Sequence, residues 1–277
     1  MLERVEVRNQ LGALLTLPLQ SISNGFIVDS IEGLDPVDAS VVTSTQANFD
    51  GELFQVARRD KRTMVFNIAF APDYDTLTVE SLRRKLYDFF MPKSQISIRF
   101  VVSGQPSVEI SCIVESFNAP KFAKDPSASI SVVGLDVDFI GVDTTVHNGT
   151  TDASTIYNDF IYPGSEPTGI FFRMTLNRAI RYFTLYNQAS DGIVQEMAFE
   201  LPADLPLPET IHVTIDTRNG RKTVYSTTAA GNTSRLYAMD RDAQWIQFKP
   251  GINRFRVSTA GAGIPYAVSY KARYGAL

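Results

Sequence analysis

Nucleophilic and metal chemistry have little to work with in this chain. Its 277 residues include two histidines, His147 and His212, and one cysteine, Cys112. A lone cysteine forms no intrachain disulfide and no cysteine zinc site, and it points to a reducing compartment during folding. Neither histidine stands in a recognisable nucleophile–base context. No G-x-S-x-G, P-loop or G-x-G-x-x-G occurs. Asp136, Asp138 and Asp143 offer carboxylates for calcium, but no glutamate stands at the twelfth position of an EF-hand loop begun at Asp136. Glu109 and Glu115, six residues apart on a strand, would lie about 20 Å apart, too far for paired-carboxylate glycoside hydrolysis. This inventory predicts neither an enzyme nor a bound cofactor or metal.

Charge is the next candidate. Ala57-Arg58-Arg59-Asp60-Lys61-Arg62 has four cations in six residues of a chain with a net charge of −4. Gripping nucleic acid would need a wider basic face. Residues 1–146 instead hold 13 Lys and Arg against 19 Asp and Glu. The segment runs straight into an apolar strand. There its cations could discourage wrong edge pairing, or latch onto acids such as Asp29, Glu32, Asp35 or Asp38 within or between subunits. Arg83, Arg84 and Lys85 form a second cluster with a solvated or partner-facing reading. For sugars, Trp245, Tyr225 and Tyr237 are the stacking candidates.

These residues must be positioned mostly by strands. Met64, Phe66, Ile68 and Phe70 alternate with smaller or polar residues, as do Ile96 to Val102, Val108 to Val114 and Ile130 to Val132. Such alternation predicts antiparallel strands with one buried face, and it places Cys112 in the core. One stretch breaks the pattern. Leu82, Leu86, Phe89 and Phe90 recur at helical spacing after the N-cap candidate Thr78, and Pro92 stops the run, which predicts a helix over about 79–90. Residues 143–168 are polar and turn-rich. Alternation then resumes, with Asn219-Gly220 and Pro250-Gly251 as turns between strands; Gln244 to Phe248 is one of these strands, with Trp245 on the face opposite Ile246 and Phe248. The expected architecture is mainly β. A first β-sandwich domain carries the helix over 1–146, a linker or crossover occupies 147–168, and a second β-sandwich fills 169–277. No targeting segment is evident, and no apolar run approaches the roughly 20 residues that span a bilayer.

Ordered along the chain, several short stretches resemble the distal tail proteins of long-tailed bacteriophages. In the first half they are Ile27-Val-Asp-Ser-Ile-Glu-Gly-Leu-Asp-Pro36, Asp50-Gly51, the Arg58–Arg62 segment leading into Met64-Val-Phe-Asn-Ile68, Ser81-Leu-Arg-Arg-Lys-Leu-Tyr-Asp-Phe-Phe-Met-Pro92, Val114-Glu-Ser-Phe117 and Asp136-Val-Asp-Phe139. In the second they are Glu166-Pro-Thr-Gly169, Ile215-Asp-Thr-Arg-Asn-Gly-Arg-Lys222, Lys249-Pro-Gly-Ile-Asn253 and Tyr270-Lys-Ala-Arg-Tyr274. The resemblance implies an amino-terminal β-sandwich that assembles into a ring, usually a hexamer, and a carboxy-terminal domain like a galectin or carbohydrate-binding module. It also implies a non-catalytic hub that joins tail tube to tail tip and carries receptor-binding proteins. The site would be the virion tail, after synthesis in the host cytoplasm, with no membrane partner. A channel could pass DNA without binding it specifically. Arg58, Arg59, Lys61, Arg62, Arg83, Arg84 and Lys85 become candidates for subunit or tail-partner contacts. An alternative function is host-glycan binding by the second sandwich. After Trp245, however, come Ile246-Gln247-Phe248 rather than the Glu and Arg of the galectin pattern.

Overall fold

The computed structural model describes residues 1–19, 21, 24–45, 50–151, 157–205, 210–261 and 263–277. The fold is mainly β and divides into two units, Met1–Val142 with Tyr274–Leu277, and Asp143–Arg273. Each unit has its own hydrophobic core.

The first unit contains β1 (Leu2–Arg8), β2 (Leu14–Pro18), β3 (Phe26–Glu32), β4 (Ala39–Ser44), β5 (Leu53–Arg59), β6 (Thr63–Phe70), the helix α1 (Val79–Phe90), β7 (Gln95–Val102), β8 (Val108–Asn118) and β9 (Ser127–Gly134). The chain passes into the second unit along β10 (Phe139–Thr150). Seven strands form an antiparallel sheet in the order β3-β6-β9-β8-β7-β1-β2. Their alternation does what the sequence predicts: Met64, Phe66, Ile68, Ile96, Ile98, Phe100, Ile110, Cys112, Ile130 and Val132 all lie buried on one side. The helix begins where expected. The Thr78 hydroxyl accepts from the Ser81 N–H, and the Thr78 N–H donates to Ser81 Oγ, so two otherwise orphaned donors are satisfied. Its apolar stripe of Leu82, Leu86, Phe89 and Phe90 closes the core. Complete burial of each such side chain is worth about 1.5–3 kcal/mol.

The second unit contains β11 (Asn158–Tyr162), β12 (Thr168–Gly169), β13 (Phe171–Thr175), β14 (Ile180–Gln188), β15 (Val194–Leu205), β16 (Thr210–Asp216), β17 (Thr223–Thr228), β18 (Gly231–Ser234), β19 (Gln247–Phe248), β20 (Gly251–Thr259) and β21 (Pro265–Tyr274). One sheet runs β18-β17-β16-β13-β21, with β10 next to β21, and the other runs β11-β20-β14-β15. Phe172, Met174, Val213, Ile215 and Val268 from the first sheet share a core with Phe160, Phe183, Leu185, Phe199 and Phe255 from the second. This is the sandwich arrangement.

Three local expectations need correction. The stretch 147–168, expected as a linker, holds the end of β10, all of β11 and the start of β12, while residues 152–156 lie outside the described residues. Phe160 and Tyr162 are two alternating aromatics in a polar run, and both are buried in the second core. The final residues, expected in the second sandwich, belong to the first unit: the Leu277 N–H donates to the Leu34 carbonyl. The strand expected over Gln244–Phe248 shortens to Gln247–Phe248. Trp245 therefore stands outside a strand, half-buried against the second core.

Candidate assembly surfaces

β4 and β5 pair with each other and, among the described residues, with no other strand. Directly opposed residues share a face of such a ribbon. Val42 opposes Val56 and Ser40 opposes Arg58 on one face, while Val41 opposes Ala57 and, past a register shift, Thr43 opposes Phe54 on the other. Val41 is 56% exposed, Val42 48%, Phe54 67% and Val56 55%. Each of these residues would suit a buried strand, and here all project from the unit as an arm. Sequence reasoning missed the arm as a surface. The turn residues Asp50-Gly51 shortly before Leu53, after the β-branched Val41-Val42-Thr43, are the signal that could have found it.

The basic segment forms the root of this arm. Arg59 Nη1 donates to Asp138 Oδ1 at 2.6 Å and Nη2 to Oδ2 at 3.2 Å, a two-point clamp onto a carboxylate whose side chain is 3% exposed. Asp60 accepts from the Ser40 hydroxyl, and its N–H donates to the Asp38 carbonyl. Lys61 reaches Glu115 at 3.8 Å with both groups solvated. Such a pair contributes at most about 1 kcal/mol. Arg62 is 0% exposed. Its guanidinium donates to the carbonyls of Gly33, Asp35, Val137 and Gly275 and stacks 4.3 Å from the Phe139 ring centre. Burial lowers its pKa from the ordinary value, with Asp138 pulling the other way; an arginine stays charged regardless. Gly33 permits this geometry. It has φ +84°, and a Cβ there would stand 2.1 Å from the Thr63 carbonyl.

Within the chain, the principal carboxylate of this segment is Asp138 rather than Asp29, Glu32, Asp35 or Asp38, and Arg62 is enclosed. Arg58, with its neighbours on the arm, remains exposed. On α1, Arg83 is 6% exposed and bonds Glu80 and the Pro120 carbonyl. Arg84 is exposed beside Glu80, and Lys85 lies 5.8 Å from the Phe26 ring centre. Of the seven cations expected at an interface, Arg62 and Arg83 are taken up inside the unit.

The stacking candidates occupy different settings. Tyr225 lies half-buried on β17, on the outward side of its sheet. The Trp245 ring has Lys222 Nζ 5.7 Å from its centre. Tyr237, 62% exposed, accepts from Arg235 Nη1. Among the described residues no group of three or more His, Cys, Asp or Glu could hold a metal ion. Among the described residues no helix is long and apolar enough to cross a membrane.

No protein-family model matches the chain, and no curated protein matches it significantly. Solved structures do. The Dit protein of phage SPP1, described as a paradigm of hub adsorption apparatus in phages infecting Gram-positive bacteria, is 14% identical over 97% of this chain and 98% of its own, with a TM-score of 0.67. Chains of the phage P2 baseplate in its activated conformation with Ca and of the phage p2 baseplate with Sr are each 10% identical. They cover 100% and 99% of both chains, at TM-scores of 0.47 and 0.45. The chain therefore has the fold of the SPP1 Dit protein along nearly its whole length.

Proposed function

We propose that this chain is a structural component of a phage tail. It is a distal hub whose copies close into a ring, most simply a hexamer, between the tail tube and the tail tip, and it serves as a platform for receptor-binding proteins. On this reading it is made in the host cytoplasm and carried in the virion, and its channel lets DNA pass without specific contact. The full-length likeness in fold to SPP1 Dit supports the reading. The observation that carries it is the β4–β5 arm. A two-stranded ribbon is marginal on its own, and exposed apolar strands with free edges invite pairing with another chain. Here Arg59 and Arg62 hold the root fixed while Val42, Phe54 and Val56 stay exposed. Head-to-tail use of such an arm generates a closed ring if the rotation closes.

The test is the oligomeric state of the full chain by mass photometry and negative-stain microscopy at micromolar concentration, alone and with tail tube protein. Rings are expected. Val42→Asp with Val56→Asp should reduce them to smaller species without lowering the melting temperature, since neither side chain belongs to a core. A wild-type chain that stays monomeric in both conditions would remove the hub reading.

A further inference from the structure

The connection from β8 to β9 carries an aromatic side chain that belongs to neither core. Phe122 is 104% exposed. Its φ is +64°, a backbone conformation rare for a bulky residue, and such strain persists only where the surroundings fix it. Both ends of the connection are held. The Pro120 carbonyl accepts from Arg83 Nη2 at 3.0 Å, and the Pro126 carbonyl accepts from the Phe70 N–H at 2.9 Å. Between these anchors Lys121 and Lys124 stand exposed on either side of Phe122 in sequence, and Asp125 is the one acid.

An open hollow of about 270 Å³ lies at the opposite end of the same strands. Pro36 and Val37 line it together with Asp35, Asp38 and Asp60. Lys61 is its one cation and reaches Glu115 at 3.8 Å. A cavity of roughly 150 Å³ holds benzene, so the hollow has room for a phenyl ring. The separation follows from register. Thr63 begins β6 and lines the hollow, whereas at the far end Ala69 pairs with Ser127 and Phe70 bonds Pro126. The strand from Thr63 to Phe70 is roughly 24 Å long at the usual rise per residue.

We propose that Phe122 of one copy enters the hollow of the next copy between Asp35, Asp38 and Asp60, with Lys121 and Lys124 meeting those acids. The inference rests on the ring proposed above and names a contact that builds it. A knob and a hollow at opposite ends of one sheet cannot meet within a chain. Between copies they make a head-to-tail contact, the kind that propagates around a ring. Charge favours the pairing, since two lysines and one aspartate meet three aspartates and one lysine. An aromatic ring also carries its positive side at the edge, which suits entry between carboxylates. The hollow adjoins the β4–β5 arm, because Asp60 accepts from the Ser40 hydroxyl on β4. Arm and hollow thus offer one continuous surface to the same neighbour. The strain at Phe122 is then preorganisation: the loop is held in its docking shape before contact.

The experiment is sedimentation velocity of the full chain over a dilution series, alone and with tail tube protein, reading the concentration at which half the chains are in rings. Phe122→Gly keeps the left-handed backbone without strain. It should raise that concentration about tenfold or more, as loss of a buried aromatic anchor does, with the melting temperature unchanged or higher. Lys121→Glu with Lys124→Glu should raise it severalfold, and so should Asp35→Lys with Asp38→Lys. All four charge changes in one chain should restore assembly, because the pairing is reversed rather than lost. A wild-type chain that forms no ring in either condition removes the hub reading and this contact with it. Rings that form at the wild-type concentration in Phe122→Gly and in both charge variants remove the contact and leave the hub reading standing. Wild-type rings with lost tube binding in these variants would assign the knob to the tube instead and overturn the proposal. A lower melting temperature in Phe122→Gly, with no rescue in the four-charge chain, would give Phe122 a role inside the subunit and overturn it as well.

Discussion

Arg62 shows how one side chain can organise three distant segments. Its donors reach carbonyls in the β3–β4 connection, at Val137 and at Gly275, the last of these 213 residues away in sequence. A guanidinium suits this task because its planar fork presents five donors in fixed directions, whereas a lysine ammonium is a compact point charge. Removing it would strand several acceptors at once. An unsatisfied buried polar group costs about 1–3 kcal/mol, and breaking a buried charged network costs about 3–5 kcal/mol. Arg62→Met should therefore destabilise the first unit by about 3–5 kcal/mol in urea unfolding followed by circular dichroism. Amide exchange should rise first around residues 33–35 and 275. Arg62→Lys should recover only part of the loss. A stability unchanged in Arg62→Met would mean that the root of the arm does not need its central cation.

At the scale of elements, α1 is the clearest case of local sequence deciding structure. Cap, apolar stripe and stop agree, and the observed span Val79–Phe90 follows the expected one. Thr78→Ala should cost about 1 kcal/mol, read as a lower urea midpoint of the first unit with an unchanged slope. An unchanged midpoint would mean that Ser81 alone satisfies the helix start. The core strands were legible for the same reason, since a period of two reports which residues share a face. The same signal does not reach β4 and β5, where no strand is expected from the sequence: Val42, Phe54 and Val56 are exposed, and among the described residues no other strand pairs with the ribbon. The arm root was hidden differently. Arg59 with Asp138 and Arg62 with Gly275 are long-range pairs, and nothing local to residues 58–62 distinguishes a solvated cation from an enclosed one. Trp245 likewise depends on how a loop packs rather than on strand alternation.

The whole molecule distributes its titratable chemistry unevenly between the two cores. Both histidines lie in the second unit, and the first has none. His147 stacks on Phe160 at 4.1 Å with Tyr270 on its other contact, and burial holds its pKa below the ordinary 6.5. His212, beside Thr175, is lowered by burial and by the charge of Arg173. A base with a depressed folded-state pKa leaves stability untouched above the unfolded value. As pH falls below about 6.5 the unfolded chain takes up the proton first, and stability drops until the folded form protonates too. The second unit should therefore weaken between pH 7 and pH 5, while the first, lacking histidine, should hold over that range. The single tryptophan, Trp245, packs against the second core and reports on that unit alone. Two cores without common members predict unfolding curves that need not coincide between probes. In urea titrations the Trp245 fluorescence midpoint should fall from pH 7 to pH 5.5, and His147→Phe should flatten that dependence while keeping the ring stack. Arg62→Met should shift the circular-dichroism transition and leave the Trp245 midpoint in place. A fluorescence midpoint that followed Arg62→Met, or ignored pH, would show the two units unfolding as one body or the histidines staying solvated.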